Sequence, residues 1–197
     1  MAFLDRDGVV NLGRPGYVNS PDEVVLLPGA AACIGDLKRA GYLVCIVTNQ
    51  SPISRKLWGQ DQLCRIHRFL QDCLLSQDDE AHIDAFITCP HRFEDRCSCR
   101  KPSPTMLFLG HQVLRSGHPF PVDELYNAGF QDRTVDWWGG KVDPFHRLDA
   151  MVGDRRSDMG AGWGYGARLF RVDRDVGLVQ ACERVLNEND LGDRFQP

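Results

Sequence analysis

Apolar runs of strand length alternate with helix-like segments along this 197-residue chain, and few folds accommodate that alternation. The run from Leu43 to Val47 is apolar without interruption, as is typical of a strand buried on both faces. Residues 59–75 instead repeat apolar side chains at helical spacing. Strands that alternate with helices predict an α/β fold, with a Rossmann-like parallel sheet and helices on both of its faces.

The same reasoning predicts where the other elements lie. Strands are expected at 2–4, 43–47, 83–88, 150–152 and 168–172. Helices are expected at 28–40, 59–75, about 103–115, between the last two strands, and roughly 174–188. The segments between these elements are too short for a large inserted cap domain, so we expect a single domain over 1–197 with a fairly open site.

Residues 117–149 fit this pattern least well, because they combine several Pro, Gly and Trp residues and show no clear period. A long irregular stretch inside a compact domain is usually functional or part of an interface. A surface excursion whose aromatic side chains pack onto the body of the domain is an equally good interpretation. We therefore expect an irregular insertion here.

Composition excludes several classes of protein. The net charge of -4 argues against a nucleic-acid-binding protein, because phosphate backbones attract clustered positive charge. No apolar run approaches the roughly 18 residues of a transmembrane helix, and the N-terminus lacks the features of a signal peptide. We expect a cytoplasmic protein and favour a monomer. Local basic residues could still bind one small phosphorylated metabolite.

The eight cysteines fall into two groups. Five lie singly in apolar patterns and are expected to be small buried hydrophobic residues: Cys33, Cys45, Cys64, Cys73 and Cys182. The other three surround a histidine in a polar loop at 89–99: Cys89, His91, Cys97 and Cys99. Such a ligand set predicts a tetrahedral Zn²⁺ site, and four protein ligands leave no open position, so the zinc is expected to be structural.

Two carboxylates follow the first predicted strand. Asp5 and Asp7 are two residues apart, so extended backbone would point both side chains to one side. Close carboxylates repel each other and need a cation, and oxygen ligands with open positions suit Mg²⁺ beside a phosphate. One carboxylate could then attack phosphorus while the other handles protons.

Further polar residues follow later strands, where the functional residues of such sheets gather. The segment Thr48 to Ser51 offers a hydroxyl and backbone amides suited to phosphate oxygens. Asp154 follows the strand at 150–152, and Asp158 follows one helical turn later. Each residue alone could be a helix cap, but their repetition at successive strand ends favours a phosphate site.

At this point the sequence resembles the haloacid dehalogenase superfamily of phosphatases along essentially its whole length. The superfamily motifs occur in order: Asp5-x-Asp7, Thr48, Lys101, and Gly153-Asp154-x-x-x-Asp158. The fuller strings at 3–11, 16–18, 47–51 and 99–102 are similar to one branch, which holds the heptose bisphosphate and histidinol-phosphate phosphatases.

The resemblance implies a role for each matching residue. Asp5 would be the nucleophile and Asp7 the general acid and then base, so the pKa of Asp7 is expected to be raised. Thr48 and Lys101 would hold the transferring phosphoryl group. Mg²⁺ would be bound by Asp5, Asp7 and Asp154. Substrate contacts are expected from Arg6, Tyr17, Asn49, Gln50, Ser51, Arg55, Arg100 and Arg155.

Three functions remain open at this level. The resemblance favours a phosphatase that acts on a phosphorylated sugar, with a heptose 1,7-bisphosphate preferred and its 7-phosphate removed. A histidinol-phosphate phosphatase is the second reading, favoured by Arg155. An inactive zinc-bearing scaffold that only binds phosphorylated partners is the third, and the intact motif residues argue against it.

Overall fold

The structure is a computed structural model that describes residues 1–116 and 141–197. Most of the predicted insertion at 117–149 therefore lies outside the described residues. Its described part, 141–149, forms neither helix nor strand. That the chain is a single domain stays a prediction.

Five parallel strands form one sheet in the order β3-β2-β1-β4-β5. The strands are β1 (Ala2–Leu4), β2 (Val44–Asn49), β3 (Ala85–Cys89), β4 (Ala150–Gly153) and β5 (Arg168–Arg171). Each lies within two residues of its predicted position. The Rossmann-like α/β class is confirmed.

Five α-helices flank the sheet within the described residues. They are α1 (Ala30–Arg39), α2 (Gln60–Gln77), α3 (Thr105–His111), α4 (Arg156–Tyr165) and α5 (Cys182–Leu186). Helix α3 continues into a π-helical turn at Gln112–Ser116, and short 3-10 segments occur at Pro21–Glu23 and Gly177–Gln180. None of these helices is both long and apolar enough to span a membrane.

The strands alternate their side chains between two apolar cores. On one face Leu4, Ile46 and Val152 lie level with one another and pack in a cluster with α1, α2 and α5. On the other face Phe3 and Met151 pack in a cluster with α3 and α4. Both faces are apolar because helices cover both, which explains why the strand sequences show no polar alternation.

The single helix predicted at 174–188 is wrong. The structure has the two short helices Gly177–Gln180 and Cys182–Leu186 instead, and 172–176 is a loop beyond β5. Gly177 has φ +73°, a left-handed conformation that cannot continue a helix, and a Cβ there would lie 2.5 Å from the Leu27 side chain. The backbone at Gly177 therefore ends the loop and starts the helical segment.

Candidate active site

Asp5 lies directly beyond the end of the central strand β1. Its backbone N–H donates to Val152 O of β4 at 3.0 Å, so the first residue of the loop is still tied to the sheet. One carboxylate oxygen accepts the Arg6 backbone N–H at 2.8 Å. Only 7% of Asp5 is exposed, which leaves its carboxylate at the floor of an opening and otherwise surrounded by protein.

Lys101 joins the carboxylates of two different strand ends. Its Nζ lies 2.9 Å from Asp5 Oδ1 and 2.7 Å from Asp158 Oδ1, and it donates to Val47 O at 2.7 Å. The two carboxylate contacts are ion pairs, and the contact with Val47 O is a hydrogen bond. Burial opposes the charged form, but Asp158 and Asp5 outweigh it and hold the pKa of Lys101 above its ordinary value. The ammonium is therefore a fixed positive charge.

The backbone of Lys101 is held by the end of β2. Asn49 Nδ2 donates to Lys101 O at 3.2 Å, and Lys101 N donates to Asn49 Oδ1 at 3.1 Å. This pair of hydrogen bonds fixes the start of the long side chain. Asn49, predicted to contact substrate, thus has a second task in the structure.

The segment after β4 brings two more aspartates to Asp5. Carboxylate oxygens of Asp5, Asp154 and Asp158 all lie within 4.8 Å of one another. Gly153 permits this approach, because a Cβ there would collide with the Asp158 side chain. Gly8, at φ +86°, does the same in the first loop, where a Cβ would lie 2.9 Å from Asp154 Oδ2.

This carboxylate cluster, Asp5 with Asp154 and Asp158, has the properties of a cation site. Burial raises the pKa of Asp5 to about 6 although Lys101 opposes the shift. Burial and then the negative charge of Asp5 raise the pKa of Asp154. Asp154 Oδ1 is buried without a hydrogen-bond partner. An unpaired buried oxygen beside two more carboxylates fits a hard divalent cation such as Mg²⁺.

Asp7 has a different environment from the cluster. Its carboxylate accepts hydrogen bonds from Arg6, from Asn11 Nδ2 at 2.9 Å and from Gln50 Nε2 at 2.9 Å. Burial alone would raise the pKa of Asp7, but the Arg6 guanidinium and these hydrogen bonds outweigh it and lower the pKa. The expectation of a raised pKa is therefore wrong for this arrangement. Asp7 as a Mg²⁺ ligand stays a prediction.

Arg6 and Gln50, both predicted to bind substrate, are only 1% exposed and do not line the opening. Arg6 Nη2 lies 2.9 Å from Asp7 Oδ2, and Arg6 Nη1 is 3.4 Å from His67 Nε2. Gln50 Nε2 donates to Thr48 Oγ1 and to Asp7, both at 2.9 Å. The structure corrects both predictions: these side chains orient Asp7 and Thr48 from behind.

Above Asp5 lies a cavity of about 360 Å³. Its wall includes the predicted catalytic and substrate-binding residues Asp5, Asp7, Thr48, Lys101, Tyr17, Asn49, Ser51, Arg55, Arg100 and Arg155. Tyr17 OH and Ser51 Oγ lie 3.3 Å apart, which brings the loop after β1 to the loop after β2. The fold thus gathers these ten predicted residues around one space.

Several residues of this wall were not predicted as site residues: Arg14, Phe93, Ser157, Asp158 and Arg174. The Gly-Asp-x-x-x-Asp pattern contained the signal for Asp158, which is fully buried and accepts the Arg155 backbone N–H at Oδ2. Arg174 gave no signal, because the predicted helix began at that residue.

The four predicted zinc ligands form a second cluster, the Cys/His cluster, beyond the end of β3. The sulfur of Cys89 lies 3.4 Å from that of Cys97 and 3.1 Å from that of Cys99. His91 Nδ1 lies 3.5 Å from Cys99 Sγ, and the four ligand atoms all lie within 4.8 Å of one another. Such a closed group of soft ligands fits Zn²⁺.

Proton sharing supports a cation in the Cys/His cluster. Hydrogen bonds with Cys89 and Cys99 lower the pKa of Cys97, and hydrogen bonds with Cys89 and Cys97 raise the pKa of Cys99. One thiolate is thus stabilised at the expense of its neighbours. All three thiols can lose their protons together only if a cation offsets the charge.

The loop that holds this cluster leads directly to the opening. Arg100 follows Cys99, lines the cavity and donates from Nη1 to His91 O at 2.8 Å. Lys101 comes next and reaches Asp5. The Cys/His cluster therefore fixes the backbone that carries the cationic side chains of Arg100 and Lys101 to the site.

Comparison with known proteins adds to this geometry. No protein-family model matches the chain. It is 41% identical over 142 residues to the D-glycero-beta-D-manno-heptose-1,7-bisphosphate 7-phosphatase of Bordetella bronchiseptica, which covers 70% of this chain and 78% of that protein. The Haemophilus influenzae protein of the same name is 32% identical over 173 residues, 85% of this chain and 77% of the relative.

Solved structures agree with the sequence relatives. The crystal structure of the B. bronchiseptica D,D-heptose 1,7-bisphosphate phosphatase with magnesium and phosphate has a TM-score of 0.70 and 28% identity, covering 94% of this chain and 97% of that one. A haloacid dehalogenase-like phosphatase from Mesorhizobium loti shares the fold, with a TM-score of 0.67 at 23% identity.

The sheet order, the acidic residues at its strand ends and these relatives together define a phosphatase of the haloacid dehalogenase class. Within that class, the chain belongs to the family of the D-glycero-beta-D-manno-heptose-1,7-bisphosphate 7-phosphatases.

Proposed function

We propose that this protein is a magnesium-dependent phosphomonoesterase that forms an aspartyl-phosphate on Asp5, and that its substrate is a heptose 1,7-bisphosphate, from which it removes the 7-phosphate. One observation carries the chemistry: the Asp5 carboxylate lies at the floor of a cavity, 2.9 Å from a buried Lys101 and beside Asp154 and Asp158. The relatives' activity supports the substrate.

In the first step an Asp5 oxygen attacks phosphorus, and the bond from phosphorus to the sugar oxygen breaks as the aspartyl-phosphate forms. Asp7 gives a proton to the leaving sugar oxygen. The entering phosphate is itself negative, so its charge raises the pKa of Asp7 above the low value set by Arg6. Lys101 and the Thr48 hydroxyl face the phosphoryl oxygens.

In the second step Asp7 takes a proton from water, whose oxygen attacks phosphorus. The bond between phosphorus and Asp5 breaks, and inorganic phosphate leaves. Mg²⁺, when bound by Asp5 and Asp154 with Asp158 alongside, would offset negative charge on the phosphoryl oxygens. Arg6 and Gln50 keep Asp7 in place through both proton transfers.

The charge of the cavity wall supports a substrate with more than one phosphate. Six cationic side chains line it: Arg14, Arg55, Arg100, Lys101, Arg155 and Arg174. The carboxylates on the wall are Asp5, Asp7 and Asp158. The cationic side chains outnumber these carboxylates by more than one phosphoryl group at Asp5 requires. The remaining positive charge suits a second anion on the same substrate.

Histidinol phosphate is the second candidate, favoured by Arg155 at the cavity wall. Its single phosphate is joined to a cationic amine, which the surrounding guanidinium groups would repel. The bisphosphate therefore fits the charge better. An inactive scaffold is a poorer reading still, because it gives no reason for a buried carboxyl group of raised pKa beneath the cavity.

We further propose that the Cys/His cluster holds a structural Zn²⁺ through Cys89, His91, Cys97 and Cys99, and that the protein works in the cytoplasm. All eight cysteines are free thiols in the structure. A reducing compartment keeps such thiols available for a metal. The preference for a monomer stays a prediction.

Phosphate release from a heptose 1,7-bisphosphate, histidinol phosphate and simple sugar monophosphates tests the substrate. We expect kcat/KM to be highest for the heptose bisphosphate in the presence of Mg²⁺. A higher kcat/KM for histidinol phosphate would transfer the proposal to the second candidate. No turnover of any phosphate ester by the metal-loaded protein would refute the enzymatic proposal.

A further inference from the structure

Arg174 lies at the rim of the cavity, in the loop that follows β5. Its Nη2 donates to Gly13 O at 3.3 Å, and its Cβ lies 3.2 Å from the place that a Cβ on Gly8 would take. The side chain thus passes over the first loop and ends beside the segment that carries Arg14 and Tyr17. It is exposed and lines the cavity.

The guanidinium of Arg174 differs from most of its neighbours on the wall in having no carboxylate partner within the described residues. Arg14 lies 4.0 Å from Glu23, Arg55 lies 3.9 Å from Glu94, and Arg155 lies 3.7 Å from Asp154. Arg174 instead donates to the Gly13 backbone oxygen, which engages one of its five N–H donors. Its charge is therefore available to an anion in the cavity.

The position of Arg174 suits a group other than the reacting phosphate. The reacting phosphoryl group must lie against Asp5, where Lys101 is held by Asn49 and Asp158. Among the described residues Arg174 contacts neither Asp5 nor Lys101, and it is held by the loop at Gly13 instead. A guanidinium held there leaves the reacting phosphate to Lys101, and it is free for a second anion of the same substrate.

We propose that Arg174 binds the phosphate that is not hydrolysed, and so selects a bisphosphate over a monophosphate. This rests on the proposed function, because it assumes a substrate with a second phosphate. A planar guanidinium with free donors forms paired, charge-assisted hydrogen bonds with a phosphate. The loop at 172–176 is thereby a specificity element, made possible because no helix begins before Gly177.

A purely structural role predicts a different outcome. If Arg174 only fastened the loop at Gly13, its loss would disturb every substrate equally. A substrate pair that differs only in the second phosphate separates the two roles. The pair is heptose 1,7-bisphosphate and heptose 7-phosphate, which present the same reacting group to Asp5.

The experiment compares Arg174→Ala, Arg174→Lys and the unchanged protein on both substrates. We expect Arg174→Ala to raise KM for the bisphosphate about 10- to 100-fold with kcat little changed, and to change kcat/KM for the monophosphate less than about threefold. Arg174→Lys should recover part of the KM effect, because it keeps the charge but loses the planar fork.

Arg171→Ala is the matched control, because Arg171 is an exposed arginine at the end of the same strand that does not line the cavity. Arg171→Ala should leave KM and kcat unchanged for both substrates. An equal loss on both substrates in Arg174→Ala would overturn the inference and leave the proposed function standing. An unchanged protein that turns over the monophosphate as well as the bisphosphate would overturn the inference together with the substrate proposal.

Discussion

The Cys/His cluster and the carboxylate cluster lie beyond neighbouring parts of the same sheet edge, yet they are built in opposite ways. The Cys/His cluster brings four ligands together from the short segment 89–99. Four protein ligands complete a tetrahedral site and leave no open coordination position. The carboxylate cluster gathers hard ligands from two strand ends, and Asp5 faces a cavity. One is closed, and the other is open on one side.

The difference matches the roles proposed for the two ions, a structural Zn²⁺ and a catalytic Mg²⁺. A closed site can hold an ion permanently, because nothing has to enter or leave. In an open site the carboxylates repel one another until a cation binds, and the raised pKa of Asp5 reflects burial first and then that repulsion. Lys101 connects the two, since its backbone follows the closed site and its ammonium enters the open one.

The largest effect should come from Asp5→Asn in the open cluster. We expect turnover to fall at least about 10³-fold, because the amide cannot attack phosphorus. Zinc content should not change, and stability should not fall, because the substitution removes a buried carboxyl group of raised pKa. Metal analysis, thermal unfolding and phosphate release measure the three properties. Substantial remaining turnover would contradict the nucleophile assignment.

Cys99→Ser should act on the closed cluster and reach the open one indirectly. We expect about one zinc per chain in the unchanged protein and little in the variant. Activity should fall about 10-fold or more, because Arg100 and Lys101 lose their fixed backbone. Cys64→Ser is the matched control, since Cys64 is exposed, contrary to the expectation that it is buried, and lies outside the cluster. A variant that keeps full activity without zinc would break the link between the clusters.

A smaller effect is expected at His67, in the network behind the open cluster. Burial, and then the Arg6 charge, lower the pKa of His67 to about 3, so the folded protein keeps this ring neutral where the unfolded chain binds a proton. The free energy of unfolding therefore falls as the pH drops below about 6.5, the pKa of His67 in the unfolded chain. It continues to fall until the pH reaches the pKa of His67 in the folded protein. At pH 5 the loss amounts to about 2 kcal/mol relative to pH 8.

His67→Gln keeps an acceptor for Arg6 and removes the titration. The free energy of unfolding of the variant should therefore fall less steeply between pH 8 and pH 5 than that of the unchanged protein. Denaturant unfolding at several pH values measures both curves. Parallel curves would show that His67 binds protons equally in the folded and unfolded states, so that its ring is not kept neutral beside Arg6.

The strands and most of the functional residues could be predicted because both follow from local pattern. Apolar runs such as that from Val44 to Val47 predict buried strands, and parallel strands bring their carboxyl ends to one edge. Asp5, Thr48 and Asp154 therefore had to lie near one another once the sheet was predicted.

What could not be predicted depends on side-chain direction and on single backbone angles. Arg6 and Gln50 stand next to motif residues, and nothing in the sequence says that they turn inward to Asp7. Arg174 stood at the start of a predicted helix, and the sequence does not show that Gly177 adopts the left-handed conformation that ends the loop. The pKa of Asp7 likewise depends on a guanidinium orientation that only the fold determines.

The amide of Gln50 has a consequence for the hydroxyl of Thr48. Its nitrogen must face Asp7, because its oxygen would be repelled there, and the same nitrogen donates to Thr48 Oγ1. The hydroxyl hydrogen of Thr48 must therefore point away from the amide. Thr48 therefore presents a hydroxyl hydrogen, and not a lone pair, on the side away from Gln50, where a phosphate oxygen can accept it without reorientation of the hydroxyl.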